Sequence, residues 1–467
     1  MMGKKLFLIA ILSVALMTPA FAAVENIKVS GDITVQSVLR DLSMGDMLKN
    51  GSINDLRHGI AQHTRLRFDA DLTENVSAVV RLINERLWGE EDVATTDIDL
   101  DLAYVEMKEF LYQPLSITVG RQLLHYGNGL IVGDPDTNRV ASAAVPNLIG
   151  DLSLRKSFDA IKGVLDFSPF TFDIIYAKVN EGTTWIKDDI DLWGVNAAYQ
   201  WGSFNGITEG YYFGTHNNKD SNTTPGVIQY PENQATTYVF GGRVQFDPIE
   251  KLMVGLEGAY QFGDIPVVMT SAGASTLTAP DGVTPTEYRQ LSAFAWQLMT
   301  EYKFMTKYDP KIGLRYTYLS GDDDTTHENY SGWDPMFEDQ SAAEIINLLF
   351  PHSNSSTVTL YGSIMPREDI TLGLSYTYTR LAENYLNRNT GGNGIFTPSV
   401  GPASGNTYRV DRNDKYLGSE IDTYALYDYT EDVQIKMSGA WFIPGDFFEN
   451  NNDQVAYSLR TGLTVNF

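Results

Sequence analysis

The chain lacks cysteine, long apolar segments and a balanced share of basic residues. None of its 467 residues is cysteine, so the fold uses neither disulfides nor thiolate metal sites, and thiol redox catalysis is excluded. After residue 17 no run of ~18 apolar residues occurs, which argues against a membrane-spanning helix. Lysine and arginine number 34 against 59 acidic residues. The net charge of -25 argues against nucleic acid as a partner.

Aromatic residues, by contrast, are abundant. The chain has 26 Tyr and 22 Phe, and its mean hydropathy of -0.20 would by itself suggest a soluble protein. A transmembrane β-barrel resolves this conflict, because it hides its apolar residues by alternation and needs aromatic girdles at both membrane interfaces.

The amino terminus carries an export signal. Lys4 and Lys5 precede an apolar run over 6–17, and Ala20-Phe21-Ala22 forms a cleavage site. We predict a Sec signal peptide over 1–22 and a mature barrel domain over 23–467. Removing the two lysines leaves 32 basic and 59 acidic residues, a net charge of -27.

The carboxyl terminus alternates up to its last residue. Over 455–467 one face is almost entirely apolar, whereas the other face is small or polar. The residues of the first face are Val455, Tyr457, Leu459, Thr461, Leu463, Val465 and Phe467. This pattern suits a barrel strand with lipid outside and water inside. The terminal Phe467 resembles the signal read by the bacterial barrel assembly machinery, so we expect it to direct assembly.

The same period of two predicts the fold class: all-β, a single transmembrane antiparallel β-barrel of about 18 strands of the outer-membrane porin type. The predicted strands are 28–38, 63–72, 76–84, 99–110, 115–122, 158–167, 170–179, 191–201, 207–214, 237–246, 252–262, 294–304, 310–320, 357–365, 369–380, 419–429, 433–443 and 455–467.

The connections predict the topology. Those after even-numbered strands are short, such as 73–75 and 366–368, whereas those after odd-numbered strands are long, such as 215–236 and 381–418. Strict alternation places both termini in the periplasm and the long loops outside the cell. A soluble β-sandwich has no reason to alternate so regularly.

Alternation also assigns the two faces of each strand. On 63–72, Leu66 and Phe68 face lipid, so Arg65 and Arg67 face the lumen, because arginine on the lipid face costs ~2–4 kcal/mol at the midplane. The same parity predicts a charged, wet lumen whose pore-lining candidates are Arg65, Arg67, Arg81, Arg243, Arg315, Arg460, Asp97, Asp99 and Asp101. The alternative is that inward Arg and Asp brace one another across the wall without a role in transport.

Several motifs resemble one family, the alginate export type of outer-membrane barrel. Together they span most of the mature chain and read Gly120-Arg121-Gln122, Tyr126-Gly127-Asn128-Gly129, Phe158-Asp159-Ala160, Trp333-Asp334-Pro335-Met336-Phe337, Leu417-Gly418-Ser419-Glu420-Ile421-Asp422 and Trp441-Phe442-Ile443-Pro444-Gly445-Asp446-Phe447.

The resemblance implies an eighteen-stranded barrel with a basic constriction that passes an anionic polysaccharide, and it assigns Arg121 as pore-lining. Plain alternation puts Arg121 on the lipid side, so we expect a β-bulge at Gly120 to reverse its face. The inward acids Asp97, Asp99 and Asp101 and the acidic net charge depart from the family's pattern and count against polyanion export.

Four functions compete. A passive channel for hydrophilic, anionic solutes or oligosaccharides needs no chemistry from the protein, because a wet ring of Arg and Lys replaces part of the solute's hydration. A rim enzyme would need a nucleophile beside a base, yet the six histidines show no recognisable spacing. An adhesion or structural barrel remains open. A plugged receptor would need a plug domain, and few residues separate Ala22 from the first strand.

The expected partners are outer-membrane lipid and lipopolysaccharide, the barrel assembly machinery and a hydrophilic solute or polysaccharide. We expect location in the outer membrane of a Gram-negative-type bacterium, no cofactor and, from the resemblance, a monomer. One acidic loop could bind Ca²⁺, although a solvated loop is the alternative; its residues are Asp322, Asp323, Asp324 and Glu328.

Overall fold

The computed structural model describes most of the chain. The described residues are 26–45, 56–89, 98–135, 150–181, 189–217, 235–266, 288–322, 329–384, 393–396, 408–411, 413–449 and 452–467. The predicted signal peptide lies outside them.

The secondary structure of these residues is almost entirely β. The strands are β1 Asn26–Asp41, β2 Leu56–Thr73, β3 Val76–Leu87, β4 Asp99–Met107, β5 Leu115–Leu123, β6 Ser157–Phe167, β7 Phe170–Asn180, β8 Ile190–Gln200, β9 Ile207–Asn217, β10 Ala235–Ile249, β11 Leu252–Pro266, β12 Tyr288–Lys303, β13 Lys311–Leu319, β14 Asn329–Tyr330, β15 Ser355–Arg367, β16 Ile370–Leu381, β17 Asn393–Phe396, β18 Tyr408–Asp411, β19 Tyr416–Asp428, β20 Val433–Pro444 and β21 Ala456–Asn466. One α-helix, α1, spans Ile346–Leu349, and a 3-10 turn spans Gly150–Leu152.

Eighteen of these 21 strands form a closed antiparallel barrel. Each pairs with the wall strands that come before and after it in the chain, and β21 pairs with β1 to close the wall. The two-residue β14 pairs in parallel with β12, and β17 pairs only with β18. The predicted fold class is therefore confirmed, and every predicted strand coincides with one strand of the wall.

Alternation holds along the wall as predicted. On β7, Phe172, Ile174 and Tyr176 are exposed on the outer face, whereas Ile175 and Ala177, which alternate with them, are buried inside. Lipid contacts such outward side chains in a membrane, so their exposure carries no hydrophobic cost. No helix in the described part of the chain is long and apolar enough to cross a membrane.

Some strands extend beyond their predicted ends, and the largest extensions are towards the long-loop rim. The strand β2 begins at Leu56 and β12 at Tyr288, six or more residues before the predicted starts at 63 and 294. These extensions stand above the lipid belt, where the outer face no longer meets hydrocarbon and the apolar alternation that reveals a strand is weaker. The alternation of short turns and long loops follows the prediction.

Much of the barrel interior is filled by loops. One apolar cluster joins the inner wall from β6 to β13 with two inward-folded segments, through residues such as Leu130, Ile131, Val132, Trp333 and Phe337. A second cluster lies against β19 to β21 and includes the helix residues Ile346, Leu348 and Leu349. We call 124–135 and 150–156 the third loop and 331–354 the seventh loop.

Candidate channel lumen

The third and seventh loops bind each other inside the barrel. The amides of Gly133 and Asp134 donate to the Phe337 carbonyl at 2.8 and 3.0 Å, and the Phe337 amide donates to the Ile131 carbonyl at 3.1 Å. Lys156 and Asp339 form an ion pair between the two loops. The loops therefore form one connected unit, and the contacts of that unit with the wall determine the shape of the passage.

The third loop is held by a buried acid of the wall. Glu257 on β11 accepts hydrogen bonds from the Asn128 amide and the Tyr211 hydroxyl, both at 2.8 Å. Gly127 has a φ of +60°, and a Cβ there would lie 2.3 Å from the Glu257 carboxylate. The glycine of the Tyr126-Gly127-Asn128-Gly129 motif thus allows the loop backbone to approach the wall closely.

The first part of the seventh loop is held by a wall amide. Gln261 on β11 accepts from the Asp334 amide at 2.9 Å and donates to the Asp334 carbonyl at 2.6 Å. Burial raises the pKa of the Asp334 carboxyl, although a hydrogen bond from the Met336 amide opposes that shift. Trp333 and Phe337 are buried on either side. The Trp333–Phe337 motif is therefore an anchor of the loop.

The helix of the seventh loop is capped by the wall. Glu420 on β19 accepts from the amides of Ile345 at 2.6 Å and Ile346 at 2.7 Å. These amides are among those that the first turn of a helix leaves unpaired, and a carboxylate there also favours the helix dipole. The Glu420 side chain is completely buried. This contact explains why the Leu417–Asp422 motif contains Glu420.

Both loops also reach the wall on the side of β1, β3 and β21. Asp151 of the third loop binds Arg40 at 2.7 Å, and Leu154 donates to Glu85 at 2.7 Å. In the seventh loop, Glu344 binds Arg460. The third loop therefore contacts strands β1 and β3 as well as β11 and lies across part of the lumen.

The inward arginines of β2 and β3 form a charged patch. Arg65 lies 2.9 Å from Asp32, Arg67 lies 2.7 Å from Asp69, and Arg81 lies 2.5 Å from Asp101. Parity had predicted their inward faces. Each nonetheless has an acidic neighbour, as the bracing alternative requires.

The inward acids that count against polyanion passage are themselves bound. Asp101 is buried and also accepts from Ser157 at 3.3 Å, and Asp99 binds Arg155 of the third loop at 2.6 Å. Asp97 lies outside the described residues. The described part of the acidic row is thus held by cations of the wall and the loop.

Other inward cations differ in their contacts. Arg243 binds Glu209 at 2.6 Å, and Arg315 donates to the Ser341 carbonyl at 2.6 Å. Within the described ranges, no carboxylate oxygen lies within 4 Å of Arg315, Lys162 or Lys436. These three cations are half-buried or exposed, whereas the inward acids Glu257 and Glu420 are buried.

Some of the inward side chains line a polar cavity of about 190 Å³ beside β2, β4, β5 and β6. Its walls include Arg67, Tyr104, Glu106, Thr118 and Lys162. Two cations and one acid thus face a space that can hold several waters or part of a solute.

Arg121 is on the opposite side of the wall from the position that the resemblance assigned. The pairing of β5 with β4 and with β6 continues through Gly120 without a shift, so the expected bulge is wrong. Arg121 shares its face with the exposed Val119 and Leu123 and lies 3.4 Å from Asp159. It therefore faces outward and is not a pore-lining residue.

Gly120 has a different role from the one predicted. Its φ is +120°, and a Cβ there would lie 2.2 Å from the Ala103 carbonyl oxygen. Two residues further on, Gln122 is buried inside and donates to the carbonyls of Gly120 and Ala160. The Gly120–Gln122 motif therefore forms a tight contact between strands.

Two further predictions concern the carboxyl-terminal Phe467 and the acidic loop that begins at Asp322. Phe467 exchanges backbone hydrogen bonds with Gly31 of β1 at 2.8 and 2.9 Å, next to the seam that closes the barrel. In the acidic loop, Asp322 binds Arg289 at 3.0 Å, and Asp323, Asp324 and Glu328 lie outside the described residues. No group of three His, Asp or Glu side chains suited to a metal is found in the described part.

Reasoning from the sequence did not find the anchoring roles of Glu257, Gln261 and Glu420. Glu257 lies on the inner face of β11, but its loop partner could not be read from strand alternation. The sequence contained no signal of that partner, because the inward Arg243 lies directly opposite Glu257 on β10, where a cation of the wall could have satisfied the acid.

Comparisons agree with this architecture. The family model for alginate export matches residues 26–460. Among solved structures, OccAB1 of Acinetobacter baumannii has a TM-score of 0.55 at 10% identity and covers 96% of this chain and 98% of its own. OpdQ of Pseudomonas aeruginosa has a TM-score of 0.52 at 12% identity, covering 95% and 98%.

A third solved structure is that of OccK2 of Pseudomonas aeruginosa in complex with glucuronate. It has a TM-score of 0.51 at 10% identity and covers 95% of this chain and 98% of its own. Comparison with curated proteins finds no match. The family match over nearly the whole barrel is decisive: the chain belongs to the alginate export family and is an outer-membrane channel for hydrophilic solutes.

Proposed function

We propose that the channel conducts passively and favours anionic solutes, with acidic sugars and their oligomers as the substrate class. The observation that carries this proposal is the unequal use of inward charges. Buried acids hold the loops, whereas half-exposed cations such as Lys162 and Lys436 have no acidic partner in the described residues. Lys162 and Lys436 therefore offer positive charge to a passing solute.

The cavity beside β5 and β6 supports the same preference. Arg67 and Lys162 lie on its wall together with the Tyr104 ring and the Thr118 hydroxyl. Cations replace part of an anion's hydration, and a ring with polar neighbours suits a sugar. Passage needs no bond to break, so the proposed function is not enzymatic.

Relatives agree with an acidic sugar as solute. The family is named for alginate export, and one protein of similar fold was solved with glucuronate, a sugar carboxylate. The identity to that protein is only 10%, so the charge distribution of this chain carries the argument. Flow in either direction would follow the concentration gradient.

Solute uptake tests the proposal. Liposomes containing the channel should swell faster in isosmotic sodium glucuronate than in glucosamine hydrochloride at low ionic strength, with chloride and sodium controls subtracted. Replacing Arg67 and Lys162 by Gln should reduce the glucuronate rate selectively. Equal rates for the two sugars in the wild type would contradict anion preference while leaving the channel itself intact.

The carboxyl-terminal residue has a proposed role in assembly of the barrel. We infer that Phe467 is read by the barrel assembly machinery and that the channel works as a monomer. Deleting Phe467 should lower the yield of heat-modifiable barrel in outer membranes, because the residue adjoins the closing seam at Gly31. Normal yield from that variant would contradict the assembly role.

A further inference from the structure

Polar side chains form a row around part of the outer face, near the long-loop rim. Cross-strand pairing joins Arg121 to Asp159, Asp159 to Lys178, Lys178 to Asp191 and Asp191 to His216. Arg121 lies two residues from the end of β5, which runs towards the outside of the cell. The row therefore stands at the outer margin of the wall.

An apolar and aromatic row follows one step nearer the membrane centre. Its paired members are Val119, Ile161, Tyr176 and Trp193, and the Trp193 ring lies 5.8 Å from the Tyr212 ring. Aromatic girdles mark the level where hydrocarbon gives way to headgroups. The polar row just outside this girdle therefore lies at the headgroup level of the outer leaflet.

Arg121 has donors to spare at this level. Its nearest carboxylate contact, to Asp159, is 3.4 Å long, beyond the usual range for a charged hydrogen bond. Its Nε is buried and has no hydrogen-bond partner in the described structure. The side chain is 31% exposed, so the guanidinium can still reach a ligand on the outer face.

Arg380 repeats this arrangement on β16. It lies one residue from the strand's end and shares the outward face with Tyr376 and Tyr378. The Tyr378 ring stacks on Tyr416 at 5.0 Å. Arg380 is exposed, and among the residues that the structure describes no carboxylate oxygen lies within 4 Å of it.

We propose that Arg121 and Arg380 bind phosphate groups of lipopolysaccharide in the outer leaflet. A guanidinium offers a planar fork of donors that matches a phosphate, and such a pair is stronger beside hydrocarbon than in water. Free inorganic phosphate has the same chemistry. The row of apolar and aromatic side chains beneath both arginines favours the lipid-linked source. The two arginines lie on strands that are not neighbours and so form two separate contacts; both are outside the channel, and they go beyond the proposed function.

A lipopolysaccharide titration of the folded barrel tests both contacts. Purified channel in detergent is titrated with lipopolysaccharide, and the thermal midpoint of the heat-modifiable folded form is recorded. The double substitution Arg121→Gln with Arg380→Gln should weaken the apparent affinity at least about tenfold. The matched control is Arg367→Gln at the periplasmic rim, where the arginine stacks on Tyr427 at 5.6 Å; it should titrate as the wild type does.

Two further arms make the result decisive. Replacing both arginines by Lys keeps the charge but removes the fork, and should give an intermediate affinity. Inorganic phosphate at the same phosphate concentration should not raise the wild-type midpoint. The proposal is overturned if the Gln double variant titrates like the wild type, if Arg367→Gln weakens binding equally, or if inorganic phosphate stabilises the wild type as well as lipopolysaccharide does.

Discussion

Two inward acids and two inward cations of this barrel occupy different environments. Glu257 and Glu420 are buried and bind backbone amides of the third and seventh loops. Lys162 and Lys436 face the lumen and have no carboxylate within 4 Å in the described residues. Acids that bind loop backbone are less available to a solute than unpaired cations, so we expect the selectivity of the lumen to follow its unpaired charges and not its acidic composition.

The largest expected effect comes from removing an acid that holds a loop. Glu420→Ala leaves two buried amides without an acceptor, at ~1–3 kcal/mol each. We expect the helix of the seventh loop to detach and the single-channel conductance to rise roughly twofold or more, because the loop no longer narrows the passage. Planar-bilayer recordings measure this conductance.

The matched control for Glu420→Ala is Glu301→Gln. Glu301 is also an inward acid, but its ion-pair partner in the described structure is Lys303 at 3.8 Å, and no loop contact is involved. Its substitution should leave the conductance unchanged. A similar rise in both variants would show that the acids influence the pore by charge and not by holding the loop.

A smaller effect is expected from the cations. Replacing Arg67 and Lys162 by Gln should lower the anion-to-cation permeability ratio without altering heat-modifiable folding, since both residues face a polar cavity and not a packed core. Lys307→Gln in a periplasmic turn is the control for removing positive charge elsewhere. An unchanged ratio in the double variant would assign these cations to bracing the wall.

Ionic strength should modulate this preference. The Debye length falls from ~30 Å at 0.01 M to ~3 Å at 1 M salt, so lining charges act on solutes over shorter distances at high salt. We expect the anion preference of the wild type to decline steadily over this range in bilayer recordings. A preference independent of salt would point to pore size and shape instead of charge.

The smallest effect is predicted for Arg121. It faces outward, so Arg121→Gln should leave ion selectivity at the wild-type value, whereas Arg67→Gln should lower anion preference. The two single variants remove the same charge from opposite faces of the wall. A selectivity change caused by Arg121→Gln would contradict the outward assignment.

Most of the wall could be predicted from the sequence. A strand's side chains alternate between lipid and water, so Phe172, Ile174 and Ile175 reveal both the strand and its faces without any knowledge of distant residues. The faces of Arg65, Arg67 and Arg81 were correct for the same reason. Strand ends were less accurate where β2 and β12 rise above the lipid.

The interior arrangement could not be predicted in the same way. The contact of Gln261 with Asp334 and that of Glu420 with Ile345 join residues more than 70 positions apart, and no periodic pattern links them. The prediction for Arg121 was wrong for a different reason. It followed the family motif, whereas plain strand alternation gave the correct outward face. The motif's Gly120 serves strand packing and not a change of face.

The reversal potential of the wild-type channel in a tenfold salt gradient tests the central claim most directly. If buried acids are committed to the loops and cations line the passage, the reversal potential at low ionic strength should have the sign of anion selectivity and lie below the ideal limit of about 59 mV. A potential of the opposite sign would show that the inward acids dominate the narrowest section, and would contradict the account.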